Sequence, residues 1–533
     1  MGIYLNPNNA NFSEEVNAGK YIDKTMLIDV LNEKIGVSDE KFVCISRPRR
    51  FGKSMAEDML VAYYSKGADS RELFSQYKIS ETENFEKNLN KFNVISFDLN
   101  GMNSEWKQIE DNEKKPKNVI FYINKLICDE FKKQFDIQFD ETESISSCIK
   151  KVYEKTNQTF IIIIDEYDCL IREEVPAADF QNYLNFLISL FKNKELKPAI
   201  SLAYITGILP VIRDKVQSKL NTFNEFTMVR TGKFAEFTGF TTEEVQELCR
   251  KHELEFSEFK AWYDGYKIGK YEIYNPQSVM KAISEELFAS YWSETSTYQV
   301  VSDKINMNFE GTKDDVIRML GGEKVSVECT LYRNTMTDFH SKDDVFTFLI
   351  HLGYLAYDSE NEKCYIPNRE IYQEWKKAIK YNADYAQTNK IIKASEELLS
   401  ETINGNEELV AKALDEAHIH ATTKRSYNNE DGLQCAIYLS YIYALNKYHI
   451  IREMSAGKGV ADLVYIPVKE KIPALIIELK HNKSTDSALN QIRNKQYFDS
   501  LKNYYGEIIF VGINYDEKDK THECKIERFM KEK

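Results

Sequence analysis

The chain has 533 residues, 43% of them hydrophobic. This length is too great for a single hydrophobic core and predicts about three domains of roughly 100–200 residues each. Its 84 acidic and 70 basic residues give a net charge of −14, which argues against a strongly basic, nonspecific nucleic-acid binder but not against a local binding groove. No stretch reaches the roughly 18 apolar residues of a membrane span, and no secretory signal is expected. Nine scattered cysteines without metal or redox spacing predict a reducing, cytoplasmic location.

The first motif along the chain is a phosphate-binding loop. Residues 41–46 have strand character and residues 55–64 have helical character, and between them lies Arg-Pro-Arg-Arg-Phe-Gly-Lys-Ser, residues 47–54. In this setting, backbone N–H groups and a helix N-terminus bind phosphate. We therefore expect Lys53 to reach the β and γ phosphates of ATP, and the Ser54 hydroxyl to ligate Mg²⁺.

The loop departs from the general pattern at its first position, where Arg47 replaces a glycine. Glycine makes a left-handed turn at little cost, so the loop is expected to begin along a different path. Arg49, Arg50 and the backbone of Gly52 are candidates for phosphate contacts. The alternative is that the three arginines only form a solvated basic turn.

Two buried strands are predicted downstream of the loop. Residues 159–164 form a continuous apolar, mostly β-branched run, typical of a parallel strand covered on both faces, and the run ends at Asp165 and Glu166. Asp165 is placed to hold Mg²⁺ and Glu166 to polarise an attacking water, although acidic residues can also simply cap a strand end. The second strand, residues 199–207, ends near Thr206, which could sense the γ-phosphate or belong to a plain turn. Arg213, seven residues on, has the same two interpretations.

These segments resemble the AAA-ATPase-like family over about residues 10–290. Supporting matches are residues 21–25, the arginine-rich loop at residues 46–54, and residues 237–241. In that family the arginine-rich loop is the usual form. The resemblance implies an α/β fold with a P-loop NTPase-type parallel sheet and helices on both faces. It implies bound ATP with Mg²⁺, and leaves open whether ATP is hydrolysed.

For the middle of the chain, the sequence pattern predicts a helical lid and a winged-helix-like region. Residues 346–355 are helix-like, and two short strands separated by a polar turn follow, up to residue 367. Such a module can bind duplex nucleic acid or simply pack against the protein core. The polar, helical run of residues 381–414 is the predicted connection to the last domain.

The most informative motif lies in the C-terminal part of the chain. One predicted strand ends near Asp462, and the next, residues 474–480, ends in Glu478-Leu479-Lys480. Residues i and i+2 of a strand point to one face, so Glu478 and Lys480 leave a buried strand together. Two carboxylates can hold Mg²⁺, and a lysine can position water or offset negative charge. The alternative is that all three are solvated edge residues.

This C-terminal region resembles the PD-(D/E)xK nuclease superfamily, in the branch fused behind an AAA-ATPase-like domain. On the family pattern Asp462 is the Asp, Glu478 and Lys480 form the (D/E)xK pair, and Gln491 and Tyr497 lie on the following helix. The upstream helical Glu falls on Glu430. Residues 511–515 would be a later core strand. The resemblance implies an α/β nuclease-like domain with Asp462 and Glu478 as the Mg²⁺ ligands and nucleic acid, DNA in preference to RNA, as the substrate.

We therefore expect an AAA-ATPase-like P-loop domain at residues 1–240, a lid and winged-helix-like region at 241–385, and a nuclease-like domain at 386–533. The expected activities are ATP binding, with hydrolysis, and Mg²⁺-dependent cleavage of nucleic acid. Two alternatives stay open. One is a nucleotide-dependent regulatory switch whose C-terminal domain binds nucleic acid or protein without cleaving it, and the other is ATP-driven remodelling of protein partners. No membrane partner is expected, and a homo-oligomer is left open.

Overall fold

The structure, a computed structural model, describes most of the chain in ranges separated by short gaps. The described residues are 2–19, 21–110, 115–140, 143–173, 175–211, 222–292, 298–330, 332, 339–380, 382–421, 430–453, 462–467, 472–494 and 504–531. The chain forms two compact units, one made of Met1–Tyr291 with Val327–Pro367 and the other of Trp292–Ser326 with Asn368–Lys533. None of the helices in the described ranges is both long enough and apolar enough to cross a bilayer.

The helices and strands are numbered in chain order. The helices are α1 Ala10–Asn17, α2 Met26–Asn32, α3 Lys53–Tyr64, α4 Arg71–Ser75, α5 Phe85–Asn88, α6 Leu99–Lys107, α7 Val119–Gln134, α8 Ile145–Thr156, α9 Cys169–Arg172, α10 Ala177–Phe191, α11 Thr242–Lys251, α12 Phe256–Tyr263, α13 Pro276–Glu285, α14 Gln299–Ile305, α15 Thr312–Leu320, α16 Lys342–Leu352, α17 Arg369–Ile379, α18 Ala386–Asn404, α19 Glu407–Ala421, α20 Glu430–Ser440 and α21 Thr485–Asn494. The strands are β1 Phe42–Ser46, β2 Asn93–Asp98, β3 Phe160–Asp165, β4 Ile200–Gly207, β5 Asn224–Phe226, β6 Phe240–Thr241, β7 Tyr266–Ile268, β8 Tyr271–Tyr274, β9 Val325–Ser326, β10 Ala356–Asp358, β11 Lys363–Tyr365, β12 Tyr448–Glu453, β13 Asp462–Pro467, β14 Ala474–His481, β15 Gly506–Asp516 and β16 Thr521–Lys531.

The first unit is built on a five-stranded parallel sheet in the order β2-β3-β4-β1-β5. Every residue of β3 and β4 is buried, because apolar cores cover both faces of the sheet. One core includes residues of α7, α8 and α10, and the other includes residues of α2 and α3. The predicted strands and the α/β class with a parallel sheet are confirmed. In a parallel sheet the carboxyl ends of neighbouring strands meet at one edge, which here brings Ser46, Asp165 and Thr206 together.

The rest of the first unit contains smaller elements. Strands β6, β8 and β7 form an antiparallel sheet, and α11 begins with a capping box between Thr241 and Glu244. The predicted helix of residues 346–355 begins earlier, at Lys342, where Ser341 caps it, and ends at Leu352, before Gly353. An antiparallel pair, β10 and β11, follows. The predicted order of helix, strand, turn and strand is confirmed.

The second unit contains a five-stranded mixed sheet in the order β12-β13-β14-β15-β16. All its strand pairs are antiparallel except β14–β15, which is parallel. Parallel neighbours need a crossover connection, and α21 lies between these two strands in the sequence. Alternate residues of β14 enter two different cores. Leu475, Ile477 and Leu479 pack with α18, α19 and α20, whereas Ala474 and Ile476 pack with Leu489 and Ile492 of α21.

Two sequence-based expectations about this unit are wrong in detail. The strand expected to end near Asp462 instead begins there, because β13 runs antiparallel to β14 and its first residue therefore lies beside the carboxyl end of β14. The run of residues 381–414, expected to be a connection, forms α18 and part of α19, and its Leu398, Val410 and Leu414 are buried in the core against the sheet. The later core strand predicted at residues 511–515 is confirmed within β15.

The strand β16 lies at one edge of this sheet. Two of its backbone N–H groups donate to carboxylates of α19. The His522 N–H donates to Asp415 Oδ1 at 2.6 Å, and the Ile526 N–H donates to Glu407 Oε1 at 2.8 Å. These groups are donors on the side of the strand that has no neighbouring strand, so α19 satisfies them with its side chains.

Candidate functional site

The predicted phosphate loop connects β1 to α3. Arg50 and Gly52 have φ angles of 66° and 79°, and Gly52 makes this left-handed turn at the N-cap of α3. Lys53 is buried, and its Nζ lies 3.1 Å from the carbonyl oxygen of Arg47 and 2.8 Å from that of Pro48. Burial lowers the pKa of Lys53, while the carboxylate of Asp165 acts in the opposite direction. Lys53 therefore donates to its own loop, and it has to exchange these carbonyl oxygens for phosphate to fill its predicted role.

The Ser54 hydroxyl donates to Asp165 Oδ2 across 2.5 Å, so the two predicted Mg²⁺ ligands of the nucleotide site lie together. Asp165 Oδ1 accepts the N–H of Glu166 at 2.7 Å and lies 2.6 Å from Thr206 Oγ1. Thr206 is fully buried at the end of β4 and is also 2.6 Å from Glu57 Oε1. Thr206 therefore belongs to strand β4 and contacts the acidic site directly, rather than forming part of a plain turn.

Glu166 has a left-handed backbone, with φ of 49°, and its carboxylate accepts a hydrogen bond from Arg172 at 2.6 Å. The same guanidinium forms an ion pair with the buried Asp168 at 3.1 Å. Burial acts to lower the pKa of Arg172, but the charges of Asp168 and Glu166 outweigh it and hold that pKa above its ordinary value. The carboxylate of Glu166, which is predicted to polarise water, is therefore held by the guanidinium of Arg172.

Asp168 also supports the loop after β4, because its Oδ2 accepts the N–H groups of Ile208 and Leu209 at 3.1 and 2.8 Å. Arg213, further along this segment, lies outside the described residues.

The three arginines of the loop have different surroundings. Arg47 is fully buried, and it donates to Thr238 Oγ1 at 3.0 Å and to the carbonyl oxygens of Ser46 at 2.9 Å and Phe226 at 3.0 Å. Burial lowers the pKa of Arg47 to about 10. Arg49 is exposed and Arg50 is half-buried. Arg47 therefore ties the loop to two later segments of the chain, and the alternative of a solvated basic turn is wrong for this arginine.

The second candidate site lies at the carboxyl end of β14. Glu478 and Lys480 are both buried, with 0% and 3% of their surface exposed. The Lys480 ammonium forms an ion pair with the Glu478 carboxylate, and it donates to Gln491 Oε1 of α21 at 2.5 Å. The prediction that Glu478 and Lys480 leave the strand on the same face is confirmed, and Gln491 of the following helix lies beside them. The convergence of this pair with the Asp462 carboxylate stays a prediction. The alternative that Glu478 and Lys480 are solvated edge residues is wrong.

The remaining predicted residues of this site are only partly described. The backbone of Asp462 is paired directly with that of Glu478, and Glu430 is the first residue of α20. The side chains of Asp462 and Glu430 lie outside the described part of the structure, as does all of Tyr497.

The side chains present suit a hard, oxygen-binding cation. Mg²⁺ takes carboxylate, hydroxyl and water oxygens, and Ser54, which is exposed, together with Asp165 offers a hydroxyl and a carboxylate. Glu478 offers a buried carboxylate. Among the described residues no group of three or more His, Cys, Asp or Glu is arranged to hold a metal. The side chain of Asp462, the other predicted ligand of the second site, is not among those residues.

Three residues of the nucleotide site were not predicted from the sequence, namely Glu57, Asp168 and Arg172. Each had a weak local signal. Glu57 is a buried acid on the largely apolar helix α3, three residues after Ser54. Arg172 is four residues after Asp168, the spacing at which helical side chains meet.

A Gly-Lys-Ser loop facing an acidic strand end on a parallel sheet defines a P-loop nucleotide-binding fold. Residues 10–217 match the AAA-ATPase-like family, described as a predicted AAA-ATPase, and residues 428–525 match the PD-(D/E)xK nuclease superfamily. The chain thus combines an AAA-ATPase-like domain with a C-terminal PD-(D/E)xK nuclease-superfamily domain, and both resemblances seen in the sequence are confirmed.

Individual relatives are distant. An uncharacterized protein in the vnfD 5′ region of Azotobacter chroococcum is 23% identical over 264 residues, and the match spans 48% of this chain and 47% of that protein, about half of its length. The ORC2 protein of Aeropyrum pernix, solved as ADPNP–ADP complexes, is 12% identical with a TM-score of 0.32, over 67% of this chain and 92% of that one. The ORC1 protein of the same organism, solved in complex with DNA, is 12% identical with a TM-score of 0.27, over 69% and 95%. At these TM-scores the likeness does not extend to function.

Proposed function

We propose that this protein binds and hydrolyses ATP at its P-loop, and that its C-terminal domain cleaves nucleic acid in a Mg²⁺-dependent reaction. The observation that carries the proposal is the buried pair of Glu478 and Lys480, bonded to Gln491, at the point where the register pairs Glu478 with Asp462. A buried carboxylate and ammonium are costly to desolvate, and a PD-(D/E)xK domain has a chemical use for both at this position.

In the nucleotide site, Lys53 would leave the carbonyl oxygens of Arg47 and Pro48 for the phosphates of ATP. Arg49, Arg50 and the Gly52 backbone would add phosphate contacts. Ser54 and Asp165 would hold Mg²⁺, which offsets the negative charge of the phosphates when bound. Glu166 would polarise the attacking water. For this, the hydrogen bond between the Arg172 guanidinium and the Glu166 carboxylate has to break.

In the nuclease site, Asp462 and Glu478 would hold Mg²⁺, which supplies Lewis-acid activation of the phosphodiester when bound. Directly opposite residues of an antiparallel pair have their Cβ atoms on one face of the sheet, and this rule supports a shared cation. Lys480 would position the nucleophilic water or offset the developing charge, while Gln491 orients the ammonium. Glu430 would contribute a further contact to the metal or to the water.

The preference for DNA over RNA rests on the superfamily alone. Because the net charge is −14, binding would use a local groove and weaken as salt rises. We place the protein in the cytoplasm, because its nine cysteines are scattered singly along the sequence without disulfide, metal or redox spacing.

The test is cleavage of single- and double-stranded DNA and RNA with Mg²⁺, with and without ATP. Wild type is expected to cleave at least one DNA form, whereas Asp462→Asn and Lys480→Ala are expected to be inactive yet folded by circular dichroism. The matched controls are Asp486→Asn and Lys525→Ala, which break an exposed ion pair of the same domain and should cleave normally. Wild-type inactivity on every form, or full activity of Asp462→Asn, would reject the nuclease proposal.

A second candidate function is a nucleotide-dependent switch that binds nucleic acid or protein without cleaving it. The observation that favours it is the ion pair between Arg172 and Glu166, because a carboxylate held by a cation is a poor partner for water. This alternative predicts tight ATP binding, slow turnover and no cleavage. Single-turnover ATP hydrolysis measured beside the nuclease assay distinguishes the two.

A further inference from the structure

Glu57 lies in the nucleotide site although no sequence motif points to it. It is on the first turns of α3, three residues after Ser54, and only 6% of its surface is exposed. Its Oε1 is 2.6 Å from Thr206 Oγ1, which is itself 2.6 Å from Asp165 Oδ1. A single hydroxyl therefore lies between two carboxyl groups, one on a helix and one at the end of a strand.

A count of hydrogen-bond donors shows what this arrangement requires. A threonine hydroxyl carries one proton, so Thr206 can donate to Asp165 or to Glu57, but not to both. At 2.6 Å the other contact also has to be a hydrogen bond, and its proton can come only from the carboxyl group. One of the two carboxyl groups is therefore a neutral acid.

The surroundings decide which one is neutral. Asp165 also accepts hydrogen bonds from the Ser54 hydroxyl and the Glu166 N–H, and these donors suit an ionised carboxylate. Within the described residues Glu57 forms no ion pair with a lysine or arginine. Burial raises the pKa of Glu57 well above its usual value, and the charge of Asp165 acts in the same direction.

We infer that Glu57 is a positioning residue of the nucleotide site, acting as a neutral hydrogen-bond donor to Thr206, which in turn donates to Asp165. The inference builds on the proposed binding of ATP with Mg²⁺ at Ser54 and Asp165. The chain from Glu57 through Thr206 fixes one oxygen of Asp165, so that the other faces Ser54 and the position proposed for the cation. Glu57 does not itself contact the nucleotide or the cation in this scheme.

The experiment compares Glu57→Gln, Glu57→Ala, Thr206→Ser and Thr206→Val in the full chain. The Mg²⁺ concentration that gives half-maximal ATP binding is measured by calorimetry, with thermal unfolding as the check on folding. Glutamine keeps a neutral donor and serine keeps the hydroxyl, so both are expected to stay close to wild type. Thr206→Val removes the hydrogen bond to the Asp165 carboxylate, and Glu57→Ala removes the group that holds Thr206 in place. Both variants are therefore expected to need roughly tenfold more Mg²⁺.

A second measurement needs no nucleotide. The infrared difference spectrum of wild type minus Glu57→Gln at pH 8 should contain the C=O stretch of a protonated carboxylic acid. If that band is missing, or if Glu57→Gln needs as much Mg²⁺ as Glu57→Ala, the assignment of Glu57 as a neutral hydrogen-bond donor is wrong. If Glu57→Ala matches wild type, Glu57 is not a positioning residue. Should wild type bind no ATP at all, the nucleotide proposal fails, and the infrared band still decides the state of Glu57.

Discussion

The guanidinium of Arg172 lies 2.6 Å from the carboxylate of Glu166, six residues earlier in the chain. Glu166 has a left-handed backbone, which a non-glycine residue adopts at a cost. Both observations concern the residue that is expected to act on water. The catalytic carboxylate of the proposed ATPase is thus restrained by a partner that the usual P-loop pattern does not contain.

Replacement of Arg172 should destabilise the first unit. Arg172→Ala removes the cation that pairs with Asp168, which is 0% exposed, and loss of one partner of a buried pair costs about 3–5 kcal/mol. Urea denaturation measures the change in the free energy of unfolding. Arg71→Ala, which breaks the exposed pair with Glu86, is the matched control and should change little. Equal changes in the free energy of unfolding for the two substitutions would contradict the buried ion pair between Arg172 and Asp168.

Replacement of Lys53 should separate nucleotide binding from folding. In this structure Lys53 donates to two backbone carbonyls of its own loop, so Lys53→Ala leaves no buried carboxylate without a partner. ATP binding, followed by calorimetry, should be lost while the thermal unfolding curve keeps its cooperative shape. Lys66→Ala, which removes an exposed lysine bonded to Gln158, should bind ATP normally. Retained affinity in Lys53→Ala would reject the loop as the phosphate site.

Replacement of Arg47 should lower stability and leave ATP binding intact, the opposite of the effect expected for Lys53→Ala. Its guanidinium donates to Thr238 and to the Phe226 carbonyl, so Arg47→Met should lower the midpoint of thermal unfolding by detaching the loop from those segments. Because Arg47 is buried away from the loop surface, ATP binding should persist below that midpoint. Loss of ATP affinity in a folded Arg47→Met protein would show that this arginine contacts phosphate after all.

The buried pair of the C-terminal site makes a prediction about stability that is separate from activity. Lys480→Met takes the cation away from Glu478, which is 0% exposed, and should cost about 3–5 kcal/mol of unfolding free energy. Adding Glu478→Gln to that variant should restore much of the loss, since no buried charge then remains at the pair. A double-mutant cycle in urea measures the coupling. Neither variant should cleave nucleic acid, and a cycle without coupling would contradict the pair.

The stability of the first unit should depend on Glu15. Burial raises the pKa of Glu15 to about 7, and the charge of Asp58 adds to the effect. A folded-state pKa above the unfolded value means that the folded state binds the proton more tightly. The contribution of Glu15 to stability is therefore present at about pH 4.5 and below, and is lost as the pH rises through about 7. Glu15→Gln should unfold at a higher temperature than wild type at pH 8, but not at pH 4.5.

Much of the fold could be predicted from local sequence. The strands at residues 41–46, 159–164 and 199–207 are mostly apolar segments, a pattern typical of parallel strands that are covered on both faces. The pair of Glu478 and Lys480 could be predicted for a similar reason, because alternation along one strand fixes their common face.

The partners of the site residues could not be predicted, because they depend on contacts between distant segments. Arg47 donates to residues about 180–190 positions later, and Glu57 meets Thr206 across 149 positions. The start of β13 at Asp462 was likewise not predictable, since it depends on the antiparallel pairing of two strands. Periodicity reveals which face a residue occupies, but not what lies opposite it.

The carboxylates of Asp415 and Glu407 have a consequence for assembly. They occupy the two backbone donors of His522 and Ile526 on the outer side of β16. If a strand from another molecule paired with β16 at this point, it would displace the carboxylates of Asp415 and Glu407. Both carboxylates would then lose their backbone hydrogen-bond donors. Addition of a strand along this part of β16 therefore carries the cost of breaking both of these hydrogen bonds.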